Sequence, residues 1–299
     1  MKGLPDFIIG GAPKCGTTAL WNFLNEMPGI CMATMKEPKF FTEIAGQMST
    51  RIHGDGPRTS GNFKKGFDWY AGLFDHVNDG QLLGEASTLY FCNNDAAEKI
   101  HRYAPDVKLI FMLRNPIERT YSHYWQEFKL GFDFPDFETM AKIDHPRFRF
   151  YVHVSHYKIH LERYFSFFKR ANILIIILED FKKDASKEFE RIASFLGLSK
   201  DSIQGINFKK EYNEQVAPNN RRLAKLYTVL QQHSLFRNLP SGIRKHLGKA
   251  RQRAVKMNTR PILYEKMTEG MQQQLKNIFS DDIAYVQELL NRKNDLWLN

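Results

Sequence analysis

The chain has 299 residues, 42% of them hydrophobic and 25% charged, ordinary globular composition with enough apolar material for one large α/β core or two small ones. No apolar run reaches the roughly 18–20 residues that cross a bilayer, and Cys15, Cys31 and Cys92 are too few and too scattered for a disulfide framework or a CxxC zinc pair. The net charge of +10 sits in one stretch: Lys209 to Arg260 holds thirteen lysines and arginines against Glu211 and Glu214 alone, which implies an anionic partner or a solvated helical face.

Met1 to Asp6 lacks the long apolar stretch and small-residue cleavage site of a signal peptide, and a cytoplasmic location is expected. Phe7–Gly11 reads as a short buried strand, followed by a turn and a helix over Thr18–Met27 with Leu20, Phe23 and Leu24 on one face. Ile30–Ala33 reads as a second strand, and Gly46–Gly66 as a long surface excursion rich in Gly, Ser and Thr. Leu82–Gly84, Val107–Leu113 and Ile173–Leu178 are further strands. Helices are expected over Asp95–Tyr103, Ile117–Lys129 and His156–Phe168, and over Ala185–Leu196, where Gly197 closes the last. From Arg221 onward the pattern is helical and basic, ending with one helix over Met267–Leu290. No linker or repeat divides the chain, so one domain over 1–299 is expected, with the basic, mainly helical segment about 209–299 inside it.

Strands alternating with helices predict an α/β fold, a central parallel sheet flanked by helices. Ligands of such sheets lie outside the carboxyl ends of the strands. After the first strand comes Gly11-Ala12-Pro13-Lys14-Cys15-Gly16-Thr17-Thr18, whose spacing matches the nucleotide P-loop at Gly11, Gly16 and Thr18. Thr17 stands where that loop requires lysine, and the lysine is displaced into the turn at Lys14. A triphosphate enzyme needs its lysine on the β/γ-phosphates and an acidic residue for the metal. The first is misplaced here and the second is not evident.

The second motif is Lys108-Leu109-Ile110-Phe111-Met112-Leu113-Arg114-Asn115-Pro116, continuing through Ile117-Glu118-Arg119-Thr120-Tyr121-Ser122. A buried strand delivers Arg114, Asn115-Pro116 breaks it, and a helix brings Ser122 round two turns later. A guanidinium fork and a hydroxyl suit a terminal phosphate dianion.

Together the two motifs resemble those of the sulfotransferases that use 3′-phosphoadenosine 5′-phosphosulfate (PAPS), with a P-loop-like fold: the first their 5′-phosphosulfate loop, the second their 3′-phosphate element. Met35-Lys36-Glu37-Pro38-Lys39-Phe40-Phe41, Gly66-Phe67-Asp68-Trp69-Tyr70 and Gly84-Glu85-Ala86-Ser87-Thr88-Leu89-Tyr90-Phe91 resemble segments of the heparan sulfate branch and its bacterial relatives. In the last of these Ala86-Ser87-Thr88 replaces Lys-Thr-Pro, which leaves acceptor identity open. Tyr212-Asn213-Glu214 and Met257-Asn258-Thr259-Arg260-Pro261 are weaker matches to bacterial members.

The resemblance implies PAPS as sulfuryl donor, no metal, and an in-line displacement in which a glutamate takes the acceptor proton. It implies Glu85 as that base, with pairing to a neighbouring cation as the alternative. It puts Lys14 on the bridging or a 5′-phosphate oxygen and Lys36 near the reacting sulfate or on the surface. Pro13, Cys15, Gly16, Thr17 and Thr18 would wrap the phosphosulfate, and Arg114 and Ser122 the 3′-phosphate. Lys256 and Arg260 would close over the 3′-phosphate or adenine, or belong to an acceptor-binding face. His123 is an alternative base pointing elsewhere on its helix, Glu127 has no evident task, and Cys15 is a packing residue rather than a nucleophile.

An anionic or hydroxylated acceptor is expected, and the basic segment and 13% aromatic content favour a carbohydrate hydroxyl. A lipid, a small metabolite or a carrier-bound acyl hydroxyl are the other acceptors. Nucleic acid is not an expected partner. The rival classes are a P-loop kinase and a basic polyanion-binding protein built on residues 209–260.

Overall fold

The computed structural model describes residues 3–42, 61–130, 132–208, 210, 216–220, 222–224, 226, 257–261, 264–292 and 296–297. Residues 46–60 of the expected excursion and most of the basic segment, Lys256 included, lie outside the described residues.

Strand β1 (Phe7–Gly11) leads into helix α1 (Thr17–Asn25), then β2 (Ile30–Met32), the short α2 (Gly66–Ala71), β3 (Leu82–Ala86), α3 (Ala96–Tyr103) and β4 (Lys108–Leu113). Next come α4 (Pro116–Lys129), α5 (Phe137–Lys142), α6 (Pro146–Ser155), α7 (Tyr157–Phe165), β5 (Ile173–Ile177), α8 (Leu178–Lys183) and α9 (Ala185–Leu196). A small antiparallel pair, β6 (Val216–Pro218) with β7 (Thr259–Pro261), precedes α10 (Glu269–Ile278) and α11 (Ser280–Leu289).

The five principal strands form one parallel sheet in the order β2-β3-β1-β4-β5. Such a sheet is covered on both faces, and continuous apolar runs become its strands for that reason. Phe7, Ile8 and Ile9 of β1 and Leu109 through Leu113 of β4 are fully buried. Each such side chain contributes about 1.5–3 kcal/mol by leaving water. Strand β1 lies at the centre, with β3 on one side and β4 on the other. The crevice outside the carboxyl end of β1 is therefore flanked by the segments that follow β3 and β4.

Local signals set most boundaries. Pro116 opens α4 and Asn115 caps it, its side chain accepting from Ile117 N. Asp136, Asp184 and Thr268 cap α5, α9 and α10 in the same way. Gly197 ends α9 with φ 82°, the left-handed conformation expected of it. The sequence pattern does not give helices α2, α5, α6 and α8 or the β6–β7 pair. The continuous helix expected over Met267–Leu290 is two helices, broken at Phe279. The same apolar face runs through Leu275, Phe279 and Ile283, all buried, so periodicity alone reads straight across the break. The turn brings Asp282 to the start of α7, where it accepts from Lys158 N and pairs with His156 Nδ1, both at 2.9 Å.

A second apolar cluster joins α4, α5, α6, α10 and α11, through Trp125, Phe137, Met140, Tyr151, Met271, Leu275 and Phe279. It fixes the wall that α4 presents to the crevice. Gly84 serves the sheet beneath: a Cβ there would stand 2.2 Å from Phe7 Cζ and 2.7 Å from Met32 Sδ. Gly84→Ala is expected to destabilise the protein by about 1–3 kcal/mol through overpacking. Urea unfolding would register it as a lower midpoint at an unchanged slope.

Candidate active site

The turn between β1 and α1 is held from several sides. Ala12 N donates to Met112 O (2.9 Å), tying it to β4, and Cys15 N donates to Ala12 O (3.3 Å). Gly16 adopts φ 89°, and a Cβ there would lie 2.7 Å from Leu178 Cδ1. No side chain caps α1 at Gly16, in contrast to Asn115 at α4. The first amides of α1 are thus left to a ligand, and an uncapped helix N-terminus favours an anion.

Lys14 is held in the left-handed region (φ 71°) and reaches across to α4, where its Nζ donates to Gln126 Oε1 at 2.9 Å. Burial lowers its pKa to about 8, with further lowering from the cations Lys129, Arg119 and Arg114. Arg119 is fully buried behind the turn. Its Nη2 donates to Tyr151 O (2.8 Å) and contacts His123 Nδ1 (3.1 Å), while Nε and Nη1 have no hydrogen-bond partner among the described residues. A buried guanidinium so little compensated makes the turn strongly electropositive.

Arg114 leaves the end of β4 with its side chain 22% exposed and Nη2 3.2 Å from Glu118 Oε2. Tyr157 Oη anchors its backbone by donating to Arg114 O at 2.6 Å. Ser122 follows on α4. Pro13, Lys14, Gly16, Thr17, Thr18, Lys36, Arg114 and Ser122 all line one cleft of about 1220 Å³. The sequence-predicted anion sites therefore share one space.

That cleft is cationic. Lys14, Lys36, Arg114, Lys129, Lys182, Lys210 and Lys266 line it, against Glu118 and Glu265. Phe23, Phe181 and Phe208 form an apolar side. Elsewhere on the wall Trp125 stacks on Tyr264 at 4.5 Å, with Lys129 Nζ 5.4 Å from the Tyr264 ring centre.

Cys15 is fully buried behind the cleft, its Sγ 3.9 Å from Tyr157 Oη, and burial pushes its thiol up to about 11. It packs and is no thiolate. His123 contacts Arg119 and stacks on Tyr151 (4.7 Å), outside the lining. Glu127 is buried, where it pairs with Arg147 and accepts from Tyr151 Oη (2.6 Å), joining α4 to α6. Arg260 is exposed on β7 and is not among the lining residues. Among the described residues, no group of three His, Cys, Asp or Glu is arranged for a metal ion.

Glu85 lies near the end of β3. It is fully buried and outside the cleft lining, with Oε1 accepting from Tyr70 Oη and Oε2 from Ser87 Oγ, each at 2.9 Å. Burial raises its carboxyl to about 7 against the opposing pull of the Ser87, Tyr90 and Tyr70 hydroxyls. Its strand ends beneath the crevice, where Thr88, three residues on, lines the cleft. A second carboxylate, Glu37, stands beside two lining residues. It is 29% exposed, 3.0 Å from Lys36 Nζ, and bound by Thr88 N (3.1 Å) and Thr88 Oγ1 (2.8 Å), with Lys36 and Thr88 both lining the cleft.

Glu37, Gln126, Lys129, Trp125, Tyr264, Phe181 and Lys182 were not singled out from sequence. Gln126 and Lys129 follow Ser122 at i+4 and i+7, one face of a helix, so helical spacing would have reached them.

The family described as "Sulfotransferase domain" matches residues 4–284 of this chain. Over 205 residues the chain is 30% identical to heparan sulfate glucosamine 3-O-sulfotransferase 6 of Mus musculus, covering 67% of this chain and 54% of that protein. Over 206 residues it is 31% identical to heparan sulfate glucosamine 3-O-sulfotransferase 3B1 of Homo sapiens, covering 67% and 47%. The chain thus spans about half the length of the curated relatives it matches. Its fold is similar to that of a sulfotransferase from Alicyclobacillus acidocaldarius, with a TM-score of 0.67 at 23% identity over 99% of each chain.

Proposed function

This chain belongs to the sulfotransferase domain family, and from that premise we propose that it transfers the sulfuryl group of PAPS to an acceptor hydroxyl, with a carbohydrate as the acceptor class. The observation that carries the reading is the convergence of two anion cradles, Gly11–Thr18 and Arg114 with Ser122, on one cationic cleft. A donor with a phosphosulfate at one end and a phosphate at the other needs both.

The amides of Gly16, Thr17 and Thr18 and the hydroxyls of the two threonines would hold the phosphosulfate at the uncapped start of α1. Arg114 and Ser122 would hold the 3′-phosphate, and the apolar side at Phe23, Phe181 and Phe208 offers a place for the base. As the acceptor oxygen bonds to sulfur, the sulfur–oxygen bond to the 5′-phosphate breaks and its electron pair stays on that phosphate. Lys14, positioned to donate there, stabilises the charge. Glu85, whose carboxyl burial raises to about 7 beneath the cleft, takes the acceptor proton, and Lys36 steers the sulfuryl group. The reading requires no metal. Trp125 stacked on Tyr264, with Lys129 alongside, suits an anionic sugar, and the named substrates of the relatives point the same way.

Radiolabelled transfer from PAPS to a panel of glycans, lipids and small hydroxyl compounds tests the function. Calorimetry separates the kinase class: tight binding of magnesium-ATP with no response to 3′-phosphoadenosine 5′-phosphate would overturn the account. The polyanion-binding class would be favoured by salt-sensitive DNA binding that survives Arg114→Ala.

Lys14 gives a pH signature. Its ammonium is lost near pH 8 in the donor-free protein, and only the charged form attracts the 5′-phosphate. Affinity for 3′-phosphoadenosine 5′-phosphate should be flat from pH 7 to 7.5 and fall above 8, approaching about tenfold per pH unit. In Lys14→Arg, which stays charged, calorimetry should find no such fall.

A further inference from the structure

The peptide unit between Arg114 and Asn115 is held from both sides by residues far away in the chain. Tyr157 Oη on α7 donates to its carbonyl, Arg114 O, at 2.6 Å, and its N–H, on Asn115, donates to Glu179 Oε1 on α8 at 3.1 Å. The second carboxylate oxygen of Glu179 accepts from Trp297 Nε1 at 2.9 Å. Trp297 closes the ring of contacts: its carbonyl accepts from Asn115 Nδ2 at 3.5 Å, and its side chain packs on Tyr157 with ring centres 6.1 Å apart. The Asn115 side chain is thus shared, since its Oδ1 caps α4 by accepting from Ile117 N at 3.0 Å.

The segment that brings Trp297 is itself fastened. Arg292 pairs with Asp180, the neighbour of Glu179, while Leu296 is buried and donates its N–H to Gln287 Oε1 on α11 at 3.3 Å. The peptide needs this support because β4 ends at it. Asn115 has φ −39° and ψ 117°, neither strand nor helix geometry, and a side chain rather than a ladder or helical partner takes its N–H. The orientation of this one peptide decides where the Arg114 fork leaves β4 and where α4, with Ser122, begins. By charge alone, a carboxylate one residue from Arg114 opposes phosphate binding, and its removal would tighten it. Loss of a positioning contact would weaken binding instead, so the two roles carry opposite signs.

We propose that Glu179 and Trp297 are positioning residues: together they fix the Arg114–Asn115 peptide and so set the Arg114 fork against Ser122 for the 3′-phosphate. This role rests on the reading of Arg114 as a partner of that phosphate.

The test uses the full chain with Trp297→Phe, which keeps a ring and removes the indole N–H, and with Glu179→Ala, each alone and combined with Arg114→Ala. Calorimetry compares 3′-phosphoadenosine 5′-phosphate with adenosine 5′-phosphate, which lacks the 3′-phosphate. Trp297→Phe should weaken binding of the first nucleotide about three- to tenfold and Glu179→Ala about tenfold or more, while the second stays within about twofold. Neither substitution should weaken binding further once Arg114 is alanine. Tighter or unchanged binding of the first nucleotide in either variant, equal losses for both nucleotides, or losses that multiply with that of Arg114→Ala overturn the proposal. If Arg114→Ala itself leaves the first nucleotide's affinity intact, the reading of Arg114 falls instead. Amide exchange then judges the grip on the peptide: it should rise about tenfold at Asn115 in Glu179→Ala, and unchanged exchange there overturns the positioning role as well. Should Glu179→Ala fold poorly, the ratio of the two affinities in Trp297→Phe carries the same test.

Discussion

Arg114→Ala is expected to weaken binding of 3′-phosphoadenosine 5′-phosphate by about 2–4 kcal/mol, roughly 30- to 1000-fold. The loss is large because the side chain is only 22% exposed and stands at the end of a fully buried strand. Its removal would leave a phosphate dianion in a half-buried site with a hydroxyl for company. Tyr157 fixes the backbone carbonyl of Arg114, so truncation removes the fork without displacing β4. Ser122→Ala should cost about 1 kcal/mol, the ordinary contribution of one hydroxyl. Adenosine 5′-phosphate, which lacks the 3′-phosphate, should bind wild type and Arg114→Ala alike. Calorimetry with the two nucleotides measures both halves, and equal losses for both would show that Arg114 holds something other than the 3′-phosphate.

Glu85→Gln is expected to lower kcat by about 10²–10⁴, the usual range for loss of a general base, with donor affinity within about twofold of wild type. The substitution keeps the shape of the side chain while removing the proton acceptor. Burial raises the Glu85 carboxyl to about 7, against the pull of the Ser87, Tyr90 and Tyr70 hydroxyls, near the pH at which a general base serves best. Steady-state kinetics with saturating donor decides it; wild-type turnover in Glu85→Gln would remove Glu85 from the reaction.

The sheet was legible because its strands are buried on both faces and read as unbroken apolar runs, as at Ile173–Ile177. The two anion cradles were legible because each follows a strand directly, at Gly11–Thr18 and at Arg114. What stayed hidden depends on contacts between distant segments. Helix α5 is short, and both α5 and α6 are placed by packing on α4 rather than by a strong pattern of their own. The break at Phe279 follows an uninterrupted apolar face. The burial of Glu85 was hidden likewise, because its partners Tyr70 and Ser87 come from α2 and from the segment after β3.

The central claim is that the turn after β1 and the start of α4 hold opposite ends of one nucleotide. A crystal structure of the complex with 3′-phosphoadenosine 5′-phosphate tests it most directly. The account predicts a single molecule in the cleft, its 5′-phosphate on the amides of Gly16–Thr18 beside Lys14 and its 3′-phosphate on Arg114 and Ser122. A nucleotide seated elsewhere, or one whose 3′-phosphate points away from Arg114, would contradict it.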